Sequence, residues 1–185
     1  MTELLNENTP AILETKLVIR TLRSRGRELI SLFNSYAERT LALLILISAS
    51  PLIAAMLIIA AIETRSLPWY IQERGLTLDK YRFRIYKIRT MKETTEAADN
   101  NGIFIKSGLA RQVTVAGRFL RRTGLDELPQ LVNILKGEMS FIGPRPLSVE
   151  DLKLMLMEHP AEYRMRGLLT SKPGISGYWQ IFGDR

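Results

Sequence analysis

Residues 41–62 read LALLILISASPLIAAMLIIAAI, 22 positions without a charge. At about 1.5 Å rise per residue such a run extends roughly 33 Å as a straight helix, enough to cross a hydrocarbon core ~30 Å thick. It lies too far from the N-terminus for a cleaved signal peptide, and no basic start with a small-residue cleavage site leads it. Buried core helices seldom reach about 18 uncharged apolar residues, so a membrane segment is the stronger reading and a core helix the weaker.

Two features set this segment apart from an ordinary span. Pro51 follows Ser48 and Ser50 in mid-segment. Proline deletes a backbone hydrogen bond and crowds the preceding turn, so a bend is expected there, and a serine hydroxyl can satisfy the freed carbonyl in lipid. The flanking charges are also balanced. Residues 21–40 carry Arg23, Arg25, Arg27 and Arg39, and residues 63–82 carry Arg65, Arg74, Lys80 and Arg82. Four against four favours neither orientation under the positive-inside rule. A helix that enters, breaks at Ser50-Pro51 and leaves on the same side shows no bias; a simple kinked span remains the alternative.

The chain of 185 residues has 26 Lys+Arg against 19 Asp+Glu, one His and no Cys, for a net charge of +7. Without Cys there is no disulfide scaffold, Cys-ligated zinc or thiol nucleophile, and the single His159 excludes a multi-histidine metal site. Neither a nucleophile-elbow Gly-x-Ser-x-Gly, a Gly-x-Gly-x-x-Gly nor a Walker A loop occurs. The chemistry left is that of carboxylates, hydroxyls, Lys and Arg.

Residues 1–40 hold six basic and five acidic side chains, with Leu22, Leu29, Leu32, Phe33 and Tyr36 spaced roughly as one helical face. An interfacial amphipathic helix and a solvated helix packing on a partner are both open. Most of the charge excess lies later. Residues 80–92, KYRFRIYKIRTMK, carry six positive charges and no acid, and Arg82 and Arg84 alternate with Phe83 and Ile85 in a strand-like period of two. Residues 100–125 add Lys106, Arg111, Arg118, Arg121 and Arg122, again without an acid. Such blocks suit an anionic membrane surface or a phosphate-rich ligand; nucleic acid is disfavoured, since no groove-reading motif accompanies the membrane segment. Between them, residues 93–110 are polar, small and Gly-containing, and read as a mobile loop.

Residues 113–146 are the most informative. A helix over 114–122 is expected to end at Gly124, and a second to start near Asp126, with Asp126 as N-cap, Pro129 in its first turn, Leu128, Leu131, Val132 and Leu135 as its apolar stripe and Gly137 as its stop. A cap and a first-turn acid explain Asp126-Glu127 structurally. With Arg121 and Arg122 just upstream, Asp126 is also expected to have a depressed pKa, to be ionised and to be available as a nucleophile toward phosphorus. Glu127 can hold a divalent ion that screens a diphosphate, and Gly143-Pro144-Arg145-Pro146 is a rigid turn presenting a guanidinium suited to phosphate.

At these residues the chain resembles the bacterial sugar transferases, the monotopic phosphoglycosyl transferases that begin glycan assembly on a polyprenol phosphate. Blocks in the family's order carry the likeness: Ser50-Pro51 within an apolar helix, Gln72-Glu73-Arg74-Gly75, Lys87-Ile88-Arg89-Thr90-Met91, and Arg121-Arg122-Thr123-Gly124-Leu125-Asp126-Glu127-Leu128-Pro129-Gln130. Leu135-Lys136-Gly137-Glu138-Met139-Ser140, Gly143-Pro144-Arg145-Pro146 and Lys172-Pro173-Gly174-Ile175-Ser176-Gly177 follow. The likeness implies a mostly helical α+β fold: an extension over 1–37, a re-entrant membrane helix over 38–63 broken at Ser50-Pro51, and a small cytosolic domain with little β structure over 64–185.

It also implies transfer of a sugar 1-phosphate from a nucleoside-diphosphate sugar, usually a UDP-sugar, to a polyprenol phosphate at the cytoplasmic face of the bacterial inner membrane. By that resemblance Asp126 forms a phosphosugar-aspartyl intermediate and Glu127 helps bind Mg²⁺. Lys87, Arg89, Arg121 and Arg145 match basic positions assigned to phosphate contacts, and Gln130 is a polar contact or, alternatively, an exposed helix residue. Membrane lipids are implied partners, nucleic acid is not, and self-association stays open. Family members carry further helical sequence with acidic residues where this chain stops at Gly183-Asp184-Arg185, so a non-catalytic, membrane-associated scaffold is the alternative function.

Overall fold

The computed structural model describes residues 10–92 and 113–178, with side chains from Leu32 onward. The expected mobile loop at 93–110, the basic-block residue Arg111 and the last residues of the chain lie outside that set. By contact the chain divides into Met1–Ala37 and Glu38–Arg185. The first unit is helical from Pro10. Its Leu32, Phe33 and Tyr36 are exposed, whereas the side chains of Leu22 and Leu29 are outside the described residues.

Helix α1 (Pro10–Thr64) contains the uncharged run. Its portion Leu32–Thr64 is long and apolar enough to cross a membrane, with a mean hydropathy of 2.6 and only 17% burial in its most apolar window. The expected break at Ser50-Pro51 is not an interruption: the helix continues through Pro51. The reason is local. Pro51 cannot donate to the carbonyl of Ile47, four residues back, and the Ser50 hydroxyl donates to that oxygen at 2.8 Å instead. Ser48 does the same for Ile45 at 3.0 Å.

Within Glu38–Arg185 the helix has two different sides. Leu44, Ile47, Ile58 and Ile62 are exposed. Ala42 is buried with Phe83, Ile85, Leu131, Ile134 and Met139, and Ile53, Met56 and Ala60 are buried with Ile88 and Leu120. Both ends of the run are tied to the same domain: Ser140 Oγ donates to Glu38 Oε1 at 2.5 Å, and the Ala116 N–H donates to the Glu63 carboxylate at 3.1 and 3.3 Å.

Strands β1 (Trp69–Gly75) and β2 (Phe83–Ile88) form an antiparallel pair running from Trp69 opposite Ile88 to Arg74 opposite Phe83. The alternation in β2 is as expected, with Phe83 and Ile85 inward and Arg84 outward. β4 (Leu147–Ser148) adds to the other edge of β1, setting Arg74 opposite Ser148. Helix α2 (Val115–Thr123) begins at Thr114, whose hydroxyl accepts from the Gly117 N–H, and ends at Gly124 in the left-handed region, φ 73°. A side chain at Gly117 would collide with the Thr90 carbonyl, so glycine there lets α2 lie close on the end of β2.

The segment after Gly124 departs from expectation. Leu125–Gln130 is a 3₁₀ helix, and helix α3 (Leu131–Lys136) starts only after it. Asp126 is therefore a first-turn residue, not an N-cap: Gly124 stands at the cap and no side chain caps the turn. Pro129 lies inside this turn and has no N–H to donate to it. Helix α3 ends at Gly137, φ 77°. β3 (Ser140–Ile142) pairs in parallel with β5 (Gly174–Ser176), and helices α4 (Val149–Glu158) and α5 (Pro160–Leu168) lie between them in the chain. Gly143 and Gly174 face one another so closely that a side chain on either would collide with the other's backbone, which accounts for both glycines. The result is a mostly helical α+β protein with short strands and one long apolar helix.

Candidate functional site

An open cleft is lined by Arg74, Ile85, Lys87, Glu127, Gln130, Arg145, Pro146, Gly174 and Ile175. Its lining combines apolar Ile85, Pro146 and Ile175 with charged Arg74, Lys87, Glu127 and Arg145. β2 brings Lys87, the 3₁₀ turn brings Glu127 and Gln130, the loop before β4 brings Arg145 and Pro146, and β1 brings Arg74. Lys87 Nζ donates to Glu127 Oε1 at 2.6 Å, with both side chains largely shielded from solvent. Such a pair is stronger than an exposed one because less water screens it.

Asp126 is buried beside this pair. Its carboxyl pKa is raised above the ordinary carboxylate range, first by burial and then by the Glu127 charge, while Lys87 and Arg121 pull it down without prevailing. The expectation of a depressed value is thus overturned: it counted the neighbouring arginines and not the loss of water. A raised pKa leaves a more basic, more nucleophilic carboxylate once ionised.

The remaining expected site residues fall into two groups. Gln130 is buried and lines the cleft, so it is not an exposed helix residue. Arg145 lines it too, and its backbone carbonyl accepts from Arg166 Nη2 at 2.5 Å, which ties the loop to α5. Arg121 acts on Asp126 from α2 and donates from Nε to Thr90 Oγ1 at 2.8 Å, but it is not among the cleft-lining residues. Arg89 is elsewhere: its Nε donates to the Leu67 carbonyl at 2.8 Å and its Nη2 to that of Trp69 at 3.5 Å, clamping the link between α1 and β1. Ser50 and Pro51 belong to α1 and do not line the cleft.

Arg74 lines the cleft as well, a placement that comes from the strands flanking β1 on both edges and that its neighbours in the Gln72-Glu73-Arg74-Gly75 block do not reveal.

A profile described as bacterial sugar transferase matches residues 30–185. The chain belongs to the bacterial sugar transferase family. Among its relatives, the exopolysaccharide production protein ExoY of Sinorhizobium fredii is 37% identical over 157 residues, covering 77% of this chain and 66% of that protein. The undecaprenyl-phosphate glucose phosphotransferase of Komagataeibacter xylinus is 34% identical over 150 residues, 80% of this chain and 27% of that one. The undecaprenyl-phosphate galactose phosphotransferase of Salmonella typhimurium is 46% identical over 72 residues, 39% of this chain and 14% of that protein. This sugar transferase therefore spans just under two thirds of the first of these relatives and much less of the other two. Its exposed apolar α1 associates it with a membrane, as befits relatives named for a lipid phosphate.

Proposed function

We propose that this sugar transferase moves a sugar 1-phosphate from a nucleoside-diphosphate sugar, a UDP-sugar by resemblance, onto undecaprenyl phosphate. The observation that carries the reading is the buried Asp126 next to the Lys87–Glu127 pair, which lines a cleft together with Arg145. Phosphoryl transfer needs a placed oxygen nucleophile and fixed positive charge around the phosphates, and this arrangement supplies both.

In the proposed reaction an Asp126 carboxylate oxygen attacks the phosphorus that bears the sugar. That bond forms as the bridging P–O bond breaks, and the nucleoside monophosphate leaves with the electron pair. A phosphate oxygen of the lipid then attacks the aspartyl-bound phosphorus, giving the lipid diphosphosugar and restoring Asp126. Lys87 and Arg145 hold the phosphate oxygens, and Gln130 orients the donor. The glycan so begun would be an exopolysaccharide, lipopolysaccharide or glycoprotein chain.

Mg²⁺ is compatible with these residues in a particular way. Among the described residues no group of three or more His, Cys, Asp or Glu could hold an ion. Mg²⁺, however, commonly uses one or two carboxylates and completes its shell with water and substrate phosphate. Glu127, lining the cleft, suits that role, and the ion would add screening of the diphosphate charge. Lys87 already holds Glu127 and would share it.

The site would face the cytoplasm of the bacterial inner membrane, with both ends of the apolar run on that side even though α1 is continuous through Pro51. Support comes from the two ends of the apolar run, both tied to one domain through Glu38–Ser140 and Glu63–Ala116. A straight span would put those ends on opposite faces of a core ~30 Å thick. Cysteines placed singly at each end should both label from the cytoplasmic side; opposite-side labelling would refute this topology. The chemistry is tested by Asp126→Asn, which should stop release of uridine monophosphate from a UDP-sugar in the presence of undecaprenyl phosphate. Full activity in that variant would remove Asp126 as nucleophile.

A further inference from the structure

The block Gln72-Glu73-Arg74-Gly75 has no part in the reaction as described so far, yet its arginine reaches the cleft. Arg74 is half-buried and fixed from two sides. Its Nε and Nη2 donate to Gln72 Oε1 at 3.1 and 3.0 Å, and its Nη1 donates to the Pro146 carbonyl at 3.2 Å. A guanidinium has five N–H groups, and these three bonds leave two, one on each terminal nitrogen. N–H groups therefore remain on both terminal nitrogens to donate to a phosphate.

The partners of Arg74 are neutral. Gln72 Oε1 and a backbone carbonyl orient the fork without cancelling its charge, which a carboxylate in either place would do. The nearby acid Glu73 is turned to the other face of the strand and paired with Arg82 at 2.6 Å. Arg145 lines the same cleft as Arg74, and the pKa of Arg74 is lowered by burial and then by Arg145. Asp151 and Glu127 act on Arg74 in the opposite sense without prevailing, and an anion at the cleft would add to their effect.

We propose that Arg74, oriented by Gln72 and the Pro146 carbonyl, binds a phosphate group in the cleft opposite Glu127. The ligand class is a phosphate or diphosphate ester, and Gln72 is a positioning residue that acts through Arg74. The assignment rests on the cleft being a phosphate site. Two sources supply that chemistry, the diphosphate of the sugar nucleotide and the phosphate of the lipid acceptor.

The test uses the full chain in lipid nanodiscs and inorganic pyrophosphate as probe, titrated calorimetrically without turnover. Wild-type protein should bind it, and Arg74→Ala should weaken binding by roughly tenfold to a hundredfold, the range for a hydrogen bond to a charged group. Arg74→Lys, with charge but no fork, should recover part of that loss. Gln72→Glu decides between binding and a purely structural clamp. The carboxylate keeps Arg74 in place but neutralises it, so a clamp predicts unchanged affinity and an anion site predicts weaker affinity in a protein of undiminished stability.

Steady-state kinetics then separate the sources. A raised KM for the UDP-sugar alone in Arg74→Lys identifies the donor diphosphate, and a raised KM for undecaprenyl phosphate alone identifies the acceptor. Absence of turnover in wild type with Arg74-dependent pyrophosphate binding would sink the proposed reaction and leave this inference standing. A wild type that binds no pyrophosphate, or Arg74→Ala and Gln72→Glu that bind it as wild type does, overturns the inference.

Discussion

The two walls of the cleft are built differently. The acidic wall is local: Glu127 and Gln130 line the cleft from one 3₁₀ turn, started by Gly124, with Asp126 buried behind them in the same turn. The cationic wall is assembled from a distance. Arg74 and Lys87 come from paired strands, and Arg145 comes from a loop that Arg74 itself grips at Pro146, a contact spanning 72 residues. The 3₁₀ turn carries the proposed reactive groups, in which burial sets the Asp126 pKa; the cationic wall carries charge whose value lies in its placement. Changes to the first should act on turnover, and changes to the second on affinity.

The largest expected break in that contrast is Glu127→Gln. It removes the partner of Lys87 and the proposed ion ligand, and should lower kcat by about a hundredfold or more, in the range for losing one preorganised electrostatic group. A shift in KM alone would place Glu127 functionally on the cationic wall. Lys87→Met should follow, with donor KM raised by roughly tenfold or more, because a charge-assisted contact to phosphate is lost; steady-state kinetics at varied UDP-sugar concentration reads it.

Stability tests sharpen the same distinction. Gly143→Ala should cost about 1–3 kcal/mol, since the new methyl group meets the Lys172 carbonyl and the Gly174 N–H and the parallel strands must part. Denaturant melts of the full chain in detergent measure it.

A smaller, pH-dependent effect is expected of Asp126→Asn. The folded carboxyl has a raised pKa, so ionising it costs more in the folded state than in the unfolded one. Wild-type stability from this group therefore falls as pH rises from the unfolded carboxylate value, about 4, through the folded one. Asn carries no such cost. The variant should melt above wild type at pH 7, and the gap should close on acidification; a gap that widened toward acid would mean a depressed pKa after all.

Legibility in the sequence follows the same division. The apolar run, the alternation of Phe83 and Ile85 with Arg84, the stops at Gly124 and Gly137 and the Asp126-Glu127 pair are all local patterns, and each was readable. Lys87, Glu127, Gln130 and Arg145 line one cleft. Arg89 does not, because nothing in its neighbours reveals that it is spent on the Leu67 and Trp69 carbonyls. Arg74 was passed over for the mirror-image reason: its role depends on which strands flank it. The direction of the Asp126 shift was misread because charge is visible in a sequence and dehydration is not.

The central claim is that Asp126 becomes covalently bonded to phosphorus. Intact-protein mass spectrometry after brief exposure of the full chain to a UDP-sugar and Mg²⁺, without lipid acceptor, tests it most directly. The account predicts an added mass equal to the sugar phosphate, mapped by peptide sequencing to Asp126, absent from Asp126→Asn and lost on adding undecaprenyl phosphate. Uridine monophosphate released only when donor and lipid are both present, with no adduct at any time, would contradict it.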